Sequence, residues 1–287
     1  MRTKGEVSRV YRGLRRRLNS GKPLDSFPFL SGDSYFYSCQ FYFESGTLQK
    51  VSSKPGRRQK DKSLFVRMSH LDGFFLFLKE NTDKSFSDFT LVLHNGDDSI
   101  SADLLGLLKI RFRKIFAVNL FEDAGRFSAI PIGLENRNYF TNGIPSDFEK
   151  IITSGLKANE NRPTLLLQAF SLHTNRPERE TCSNIASQLG GTQLHRATPL
   201  EYRRALSESK FVLSPAGNGF DCHRTWEAMY LGAIPILRRA HWPFIRKNLP
   251  VLIVDEWEDL LTLDLNSISM PRNLTWSEDF WHSFYNE

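Results

Sequence analysis

Short apolar runs alternate with segments of helical length along most of the chain. In the first half, the apolar runs predict buried strands at residues 63–67, 89–95, 114–120 and 128–133. Helical patterns near 68–80 and 99–109 separate these runs. This alternation is typical of a mostly parallel sheet with helices packed on its faces.

A second series of the same kind follows the polar stretch 157–163. Its strands are predicted at 164–170, 192–196, 211–215, 234–237 and 251–254. Helices are predicted at 177–189 and 199–207, and the latter has proline in its first turn. The two series predict an α/β fold with two Rossmann-like domains facing a cleft, one over residues 1–156 and one over 157–287.

The two ends of this pattern are less regular. Residues 27–43 mix aromatic side chains with turn formers, and we expect irregular structure and a hairpin there. The closing segment 276–287 predicts an aromatic helix that must bury its rings. Such a helix is a candidate to cross back to the first domain.

Composition places the chain among folded globular proteins, with 40% hydrophobic and 24% charged residues. Much of its net charge of +6 comes from clusters at 1–20 and 54–62. Basic surfaces attract phosphates, nucleotides and acidic headgroups, although a solvated face is the simpler interpretation. The N-terminal cluster could form a basic helix that contacts a membrane peripherally or docks on the protein itself.

Cysteine usage and hydropathy bear on the compartment. The three cysteines are far apart, match no metal-ligand spacing and form no disulfide framework, which favours a reducing compartment: Cys39, Cys182 and Cys222. No window approaches the roughly 18 apolar residues of a membrane span, and the N-terminus lacks the apolar core of a signal peptide. We therefore expect a cytoplasmic protein, with peripheral membrane contact as an option. A Golgi lumen location applies only if an N-terminal anchor has been removed.

Residues 210–237 form the pattern with the most chemical content. They predict a strand that ends in Ser214-Pro215, a loop with two glycines, a helix over 222–231 that Gly232 stops, and a further strand. In open α/β sheets, ligands bind at the carboxyl ends of strands. The N-terminus of the following helix suits a diphosphate.

Two charged residues stand out on this predicted helix. Arg224 lies in the first turn, where a cation opposes the helix dipole and so does not serve local stability. Its guanidinium can instead bind phosphate oxygens in a forked geometry. Glu227 lies near the same helical face and can accept hydrogen bonds from both ribose hydroxyls. The alternative is a surface Arg–Glu pair of little consequence.

The order of residues in this segment closely resembles the exostosin-like glycosyltransferases. The matching positions are Ser214, Pro215, Gly217, Gly219, Asp221, Arg224, Glu227 and Ala228, followed by 232–235. The resemblance implies a GT-B architecture, a nucleotide-sugar donor, and inverting transfer without a metal or a cofactor. It also assigns Arg224 to the donor diphosphate and Glu227 to the ribose. Fucosyltransferase-like enzymes have a related layout with a different Glu-Lys pattern.

Further donor contacts are predicted just after strand 164–170. Asn175, Arg176 and Arg179 could reach the donor phosphates from this neighbouring strand. The alternative is that Thr174 or Asn175 caps a helix and the arginines are solvated.

The first domain offers candidates for the catalytic base at the end of strand 89–95. An inverting transfer needs a base for the acceptor hydroxyl, and His94, Asp97 or Asp98 could serve. Asn95 and Asp33 are candidates for the acceptor side. A turn followed by a helix cap explains the same residues structurally. The two aspartates are adjacent rather than spaced as a metal-binding pair, so we expect no essential metal.

These observations favour a glycosyltransferase that transfers a sugar from a UDP-sugar to a glycan or glycolipid acceptor. A non-catalytic nucleotide- or glycan-binding protein on the same scaffold is the alternative. The basic N-terminus also raises nucleic-acid binding. The sequence contains no recognition module for that role, so no nucleic-acid partner is expected.

Overall fold

The computed structural model describes residues 24–55, 58–97, 100, 102–120, 125–136, 143–245 and 248–269. The basic N-terminal segment, Asp98 and the predicted aromatic helix 276–287 lie outside the described residues. The chain divides into two compact units. The first comprises 1–96, 100–116 and 132–145, and the second comprises 97–99, 117–131 and 146–287.

The first sheet has six strands within the described residues, in the order β2-β1-β3-β4-β5-β6. They are β1 (Cys39–Glu44), β2 (Thr47–Lys50), β3 (Lys60–Arg67), β4 (Thr90–His94), β5 (Lys114–Ala117) and β6 (Phe127–Ala129). Strands β1, β3 and β4 run parallel, and β1 and β2 form an antiparallel hairpin. Its two loop residues, Ser45 and Gly46, have φ of 51° and 78°. Such left-handed conformations match the twist of a tight hairpin.

The helices of this part are α1 (Gly32–Ser38), α2 (Leu71–Glu80) and α3 (Ala102–Arg111), with a 3-10 turn at Met68–His70 before α2. The predicted hairpin is present, but its strands are Cys39–Glu44 and Thr47–Lys50, so only the first of them lies within 27–43. Residues 27–30 are irregular as expected, whereas Gly32–Ser38 form a helix that was not predicted. Ser31 and Ser34 form a reciprocal capping box that starts α1. The ring of Phe36 on α1 packs edge-on against Phe65 of β3, with centroids 5.5 Å apart. The three consecutive aromatic residues of this helix, Tyr35, Phe36 and Tyr37, are all buried.

The second sheet has five strands within the described residues, in the order β11-β10-β9-β7-β8. They are β7 (Thr164–Gln168), β8 (Thr192–Gln193), β9 (Ser209–Leu213), β10 (Ile234–Arg238) and β11 (Leu252–Val254). Every neighbouring pair is parallel. The predicted strands and helices of this series are confirmed, although β8 is only two residues long.

Four helices belong to this sheet: α4 (Pro145–Thr153), α5 (Arg176–Gln188), α6 (Pro199–Ser207) and α7 (His223–Tyr230). Shorter 3-10 segments cover Asn159–Asn161, Arg239–His241 and Trp257–Thr262. Gly232 ends α7 with φ of 73°, as its position in the sequence predicts.

The inner strands of this sheet contain continuous apolar runs, whereas the edge strand β8 is polar and exposed. All five residues of β9 are buried, and Phe211, Ile236 and Trp257 belong to one core cluster. Burial on both faces requires continuous apolar runs rather than alternation. Each fully buried side chain of this size contributes on the order of 2 kcal/mol.

The connections of this sheet reverse direction at β7. The chain leaves β7 for β8 on one side, and then returns past β7 to β9 on the other side. Loops that leave the carboxyl ends of β7 and β9 therefore diverge and open a crevice. Open α/β sheets bind ligands at such a switch point.

Overall, the described residues form two mixed α/β units with largely parallel sheets, as predicted. No helix in the described ranges has both the length and the apolar character needed to cross a membrane.

Candidate functional site

Two arginines meet at the switch point of the second sheet. Arg224 is the second residue of α7 and is half-buried. Its Nε donates to the carbonyl oxygen of Ala169 at 3.2 Å, and its Nη1 to that of Pro215 at 3.4 Å. These carbonyls follow β7 and β9 respectively, so the guanidinium joins the two diverging loops. The predicted position in the first turn of α7 is confirmed.

Arg179, on α5, approaches the same loop and is 6% exposed. Its Nε donates to the carbonyl of Ala216 at 3.0 Å, and its Nη1 to that of Ser171 at 2.7 Å. Nη1 also donates to the hydroxyl of Thr174. Main-chain and hydroxyl oxygens thus fix the guanidinium in one orientation.

The two guanidiniums share an aromatic neighbour. The Cζ atoms of Arg179 and Arg224 lie 5.9 Å and 5.3 Å from the ring centroid of Phe170. Burial lowers the pKa of Arg179, and the nearby positive charge of Arg224 lowers it further. Among the described residues, no carboxylate forms an ion pair with either arginine. Two close cations without an acidic partner form a strong anion-binding arrangement.

At this edge of the sheet, the N-terminal turns of α5 and α7 have no hydrogen bond from a capping side chain. Neither Cys222 at α7 nor Asn175 at α5 makes a side-chain cap hydrogen bond. Asn175 has a left-handed backbone, with φ of 45°, and its Nδ2 lies 3.5 Å from the carbonyl of Ala216. The alternative that Asn175 caps α5 through its side chain is therefore wrong. An uncapped first turn at the carboxyl edge of a sheet suits an anion.

Arg176 behaves differently from Arg179. Its side chain is 75% exposed, and its Nε donates to Glu180 one turn later at 2.6 Å. The geometry does not bring Arg176 to the arginine pair. Its contact is an ordinary pair on a helix surface.

The loop between β9 and α7 combines anchored polar side chains with two glycines. The hydroxyls of Ser214 and Thr225 lie 2.8 Å apart. The buried carboxylate of Asp221 accepts from Nε1 of Trp226 at 2.8 Å and 2.9 Å to its two oxygens. Ser214 and Asp221 therefore hold the loop in shape, and Pro215 supplies a carbonyl to Arg224.

The two glycines let the loop approach its neighbours closely. A Cβ at Gly217 would lie 3.0 Å from Nη2 of Arg179, and a Cβ at Gly219 would lie 2.4 Å from Nδ2 of Asn119. Asn119, which belongs to the second unit, also accepts the N–H of Asp221 at 3.1 Å. A side chain at either glycine would disturb the loop or the arginine beside it.

Glu227 lies one turn further along α7 and is 4% exposed. Its Oε2 accepts a hydrogen bond of 2.9 Å from the hydroxyl of Tyr202 on α6. Burial raises the pKa of Tyr202 well above its ordinary value, and the Glu227 charge adds to this effect. Among the described residues, Glu227 and Arg224 form no ion pair with each other. The interpretation as a surface Arg–Glu pair is therefore wrong.

The first turn of α5 is held by a separate group of charges. The carboxylate of Glu178 accepts from Nη1 of Arg238 at 2.8 Å and from Nε1 of Trp257 at 3.0 Å. Burial raises the pKa of Glu178, but the nearby His241 and the hydrogen bond from Arg238 outweigh this effect and hold the pKa below its ordinary value. This compensated cluster anchors the helix that carries Arg179.

A second polar cluster lies in the first unit, at the end of β4. The backbone N–H of Asp33 donates to Oδ1 of Asn136 at 2.9 Å, and Nδ2 of Asn136 donates to Oδ1 of Asn95 at 2.8 Å. One carboxylate oxygen of Asp33 accepts the N–H of Leu24 at 3.0 Å. Burial raises the pKa of Asp33 to about 6, against the lowering effects of the Leu24 bond and the Arg67 charge. We call this group, with His94, the Asp33 cluster.

His94 is 2% exposed and is bound into the Asp33 cluster. Its Nδ1 lies 2.7 Å from the backbone N–H of Asn95, which donates to it. The same Nδ1 also lies 3.1 Å from Oδ1 of Asn95. Asn95 has φ of 62°, a left-handed backbone that brings its side chain close to Gly32. The structure thus brings His94, predicted as a candidate base, together with Asp33 and Asn95, the two residues predicted for the acceptor side.

The two aspartates after Asn95 are placed differently. Asp97 is exposed, and Asp98 lies outside the described residues. In the described part of the chain, no group of three or more His, Cys, Asp or Glu side chains is arranged to hold a metal ion.

Two residues of the second unit were not anticipated from the sequence. Tyr202 lies in a helix that the pattern predicts, but nothing in that pattern links it to Glu227, which follows 25 residues later. Asn119 contacts a loop that follows about a hundred residues later in the chain. Neither contact has a local signal, because both depend on how distant segments pack.

The sheet that carries the arginine pair matches a known family. Residues 156–270 match the family model described as RXYLT1 C-terminal domain, a span that contains all strands from β7 to β11. The match indicates a glycosyltransferase. No curated protein matches the chain. The matched span includes Arg179, Tyr202, Arg224 and Glu227.

Proposed function

We propose that this protein transfers a sugar from a nucleotide-sugar, with a UDP-sugar as the expected donor, to a glycan or glycolipid acceptor. The observation that carries the proposal is the pair of guanidiniums at the switch point, Arg179 and Arg224, which have no acidic partner among the described residues. A diphosphate supplies the negative charge that this pair lacks.

The donor lies with its diphosphate between the arginine pair and the first turn of α7. Glu227 accepts hydrogen bonds from the ribose hydroxyls, and Gly217 and Gly219 let the loop approach the ligand. When the bond to the sugar breaks, negative charge grows on the diphosphate. Fixed guanidiniums stabilise that charge without reorganising, which is the most effective form of electrostatic catalysis.

The acceptor half of the proposal concerns the loop after β4. The transfer is inverting and needs no metal or cofactor. A base takes the proton of the acceptor hydroxyl, whose oxygen attacks the anomeric carbon as the nucleoside diphosphate leaves. Since His94 is 2% exposed whereas Asp97 is exposed, the carboxylates of Asp97 and Asp98 are the better candidates for this base. Asp33 and Asn95 contribute to the acceptor side by fixing the loop after β4 through the Asp33 cluster, rather than by binding the acceptor themselves.

Calorimetric titration with UDP-, GDP- and CMP-sugars tests the donor assignment. We expect one nucleotide class to bind, and Arg224→Ala to weaken that binding about 10- to 100-fold, the value of one or two charge-assisted hydrogen bonds. The matched control is Arg176→Ala, which removes an exposed arginine from the same edge and should bind like the parent protein.

Two results would count against this proposal. Absence of binding by every nucleotide, or equal affinity in the Arg224→Ala variant, would remove the donor site. Nucleotide binding without donor hydrolysis or transfer to any acceptor would favour the non-catalytic binding protein instead.

A further inference from the structure

The contact between Tyr202 and Glu227 joins two helices on one face of the second sheet. Tyr202 lies in the first half of α6, after a capping box between Thr198 and Glu201 that fixes where the helix begins. Glu227 lies in the middle of α7. The hydroxyl of Tyr202 donates to Oε2 of Glu227 at 2.9 Å. The side chain of Glu227 is therefore held from the side of α6.

This carboxylate is unusual in its surroundings. Glu227 is 4% exposed, and within the described residues it has no cationic partner. A buried charge normally requires a cation or several hydrogen bonds, because desolvation is costly. The hydroxyl of Tyr202 supplies only one of these hydrogen bonds. The other lone pairs of the carboxylate suit a ligand with two adjacent hydroxyl donors.

The phenol is well suited to this task. A tyrosine hydroxyl beside a carboxylate can only be the donor of the hydrogen bond, so it directs one oxygen of Glu227 and leaves the other for a ligand. The ring has just two side-chain torsions, and the helix that carries it is fixed by its cap. Preorganisation of this kind reduces the entropic cost of ligand binding.

We propose that Tyr202 is a positioning residue that orients Glu227 toward the two ribose hydroxyls of the donor, and that this pair makes the site selective for ribonucleotides over 2′-deoxyribonucleotides. The inference rests on the proposed function, since it requires a nucleotide in the crevice. It adds a residue and a selectivity that the arginine pair does not supply, because guanidiniums bind the diphosphate of either nucleotide equally.

The competing explanation is that the hydrogen bond simply ties α6 to α7. A structural tie would affect stability, and would affect all ligands of the site alike. A positioning role would instead affect only ligands with ribose hydroxyls. Comparison of UDP, 2′-deoxy-UDP and inorganic pyrophosphate separates the two explanations, because these probes share phosphates and differ in the sugar.

The experiment measures the affinity of the full chain for these probes by calorimetry, in the parent protein and in Tyr202→Phe. We expect the parent to prefer UDP to 2′-deoxy-UDP by about tenfold or more, the value of a hydrogen bond to a charged group. In Tyr202→Phe this preference should fall to about threefold or less, while pyrophosphate binds as before. Tyr42→Phe, which removes a hydroxyl that donates to Gln49 in the first unit, is the matched control and should change nothing.

A second variant keeps the test decisive if Tyr202→Phe is poorly folded. Glu227→Gln removes the charge that Tyr202 orients and should also reduce the preference for UDP. The double variant, Tyr202→Phe with Glu227→Gln, should lose no more of the preference for UDP over 2′-deoxy-UDP than Glu227→Gln alone. The reason is that the two residues act through one contact. Additive losses would contradict a shared role.

The outcomes distinguish failure of this inference from failure of the proposed function. If the parent binds neither UDP nor pyrophosphate, the donor site itself is wrong. If the parent binds UDP but Tyr202→Phe retains the full preference, Tyr202 does not position Glu227. If Tyr202→Phe weakens UDP and pyrophosphate equally, the contact is a structural tie and the inference is overturned.

Discussion

The arginine pair and the Asp33 cluster both lie where strands end, yet they satisfy their polar groups in opposite ways. In the Asp33 cluster, amides and backbone groups of the same unit satisfy one another, and burial raises the pKa of the Asp33 carboxyl to about 6. In the arginine pair, carbonyl oxygens orient the guanidiniums but leave their charges uncompensated among the described residues.

This difference separates a group that is complete by itself from one that awaits a ligand. Amide and imidazole groups can saturate one another's donors and acceptors, so the first arrangement needs nothing further. A carbonyl dipole cannot neutralise a full positive charge. The arginine pair is therefore the cluster that a bound anion would stabilise more, and we expect the ligand-binding site in the second unit.

The largest expected difference between the two clusters comes from replacing a glycine beside each of them with alanine. A Cβ at Gly32 would lie 1.5 Å from Oδ1 of Asn95 and 2.7 Å from Nδ1 of His94. We expect Gly32→Ala to lower the free energy of unfolding by upwards of about 3 kcal/mol, because the packed cluster cannot yield. Gly217→Ala meets mainly Nη2 of Arg179, at 3.0 Å, and should weaken nucleotide binding with little loss of stability.

Denaturant unfolding and calorimetric titration of both variants provide the measurements. Gly106→Ala in α3 is the control, since a Cβ there meets nothing within 4 Å and alanine favours a helix. If Gly32→Ala and Gly217→Ala lost equal stability, the two clusters would be packed alike. This result would contradict the contrast between the Asp33 cluster and the arginine pair.

The pH dependence of stability tests the closed character of the Asp33 cluster. The pKa of the Asp33 carboxyl rises from 3.8 to about 6 on folding, so the folded state favours the protonated form of this side chain. The resulting stabilisation is complete below about pH 4 and is lost as the pH rises through 6. It amounts to about 3 kcal/mol relative to pH 7, at 1.36 kcal/mol for each pKa unit.

Asp33→Asn removes this titration, and it serves as the reference that cancels all other ionisable groups. Relative to the parent, the variant should gain stability steadily between pH 4 and pH 7 in denaturant unfolding. A difference between the two proteins that does not vary with pH would mean that Asp33 ionises normally in the folded state.

The smallest expected effect comes from a conservative change in the arginine pair. Arg179→Lys retains a positive charge but loses the fork that donates to Ala216 and Ser171. We expect affinity for UDP to fall about tenfold, because an ammonium cannot reproduce the directed contacts. Arg176→Lys on the same helix is the control. If the two substitutions weaken UDP equally, the fixed orientation of Arg179 has no role in binding.

Much of the second sheet could be predicted because its signals are local. Apolar runs of strand length, Pro199 at the start of α6 and Gly232 at the end of α7 each determine structure within a few residues. The position of Arg224 in the first turn of α7 followed from the same local rules. The helix α1 was missed because its aromatic residues suggest a strand, whereas the Ser31–Ser34 cap and the packing of Phe36 on β3 favour a helix.

The sequence by itself determined the alternation of strands and helices, the loop with Gly217 and Gly219, and the order of residues that resembles a glycosyltransferase. Tertiary structure alone decided that Arg179 joins Arg224 while Arg176 does not, and that Glu227 faces Tyr202 rather than Arg224. The physical reason is the order of the strands. Because β7 and β9 are neighbours in the sheet, side chains from α5 and α7 meet at one crevice, and no local pattern contains that information.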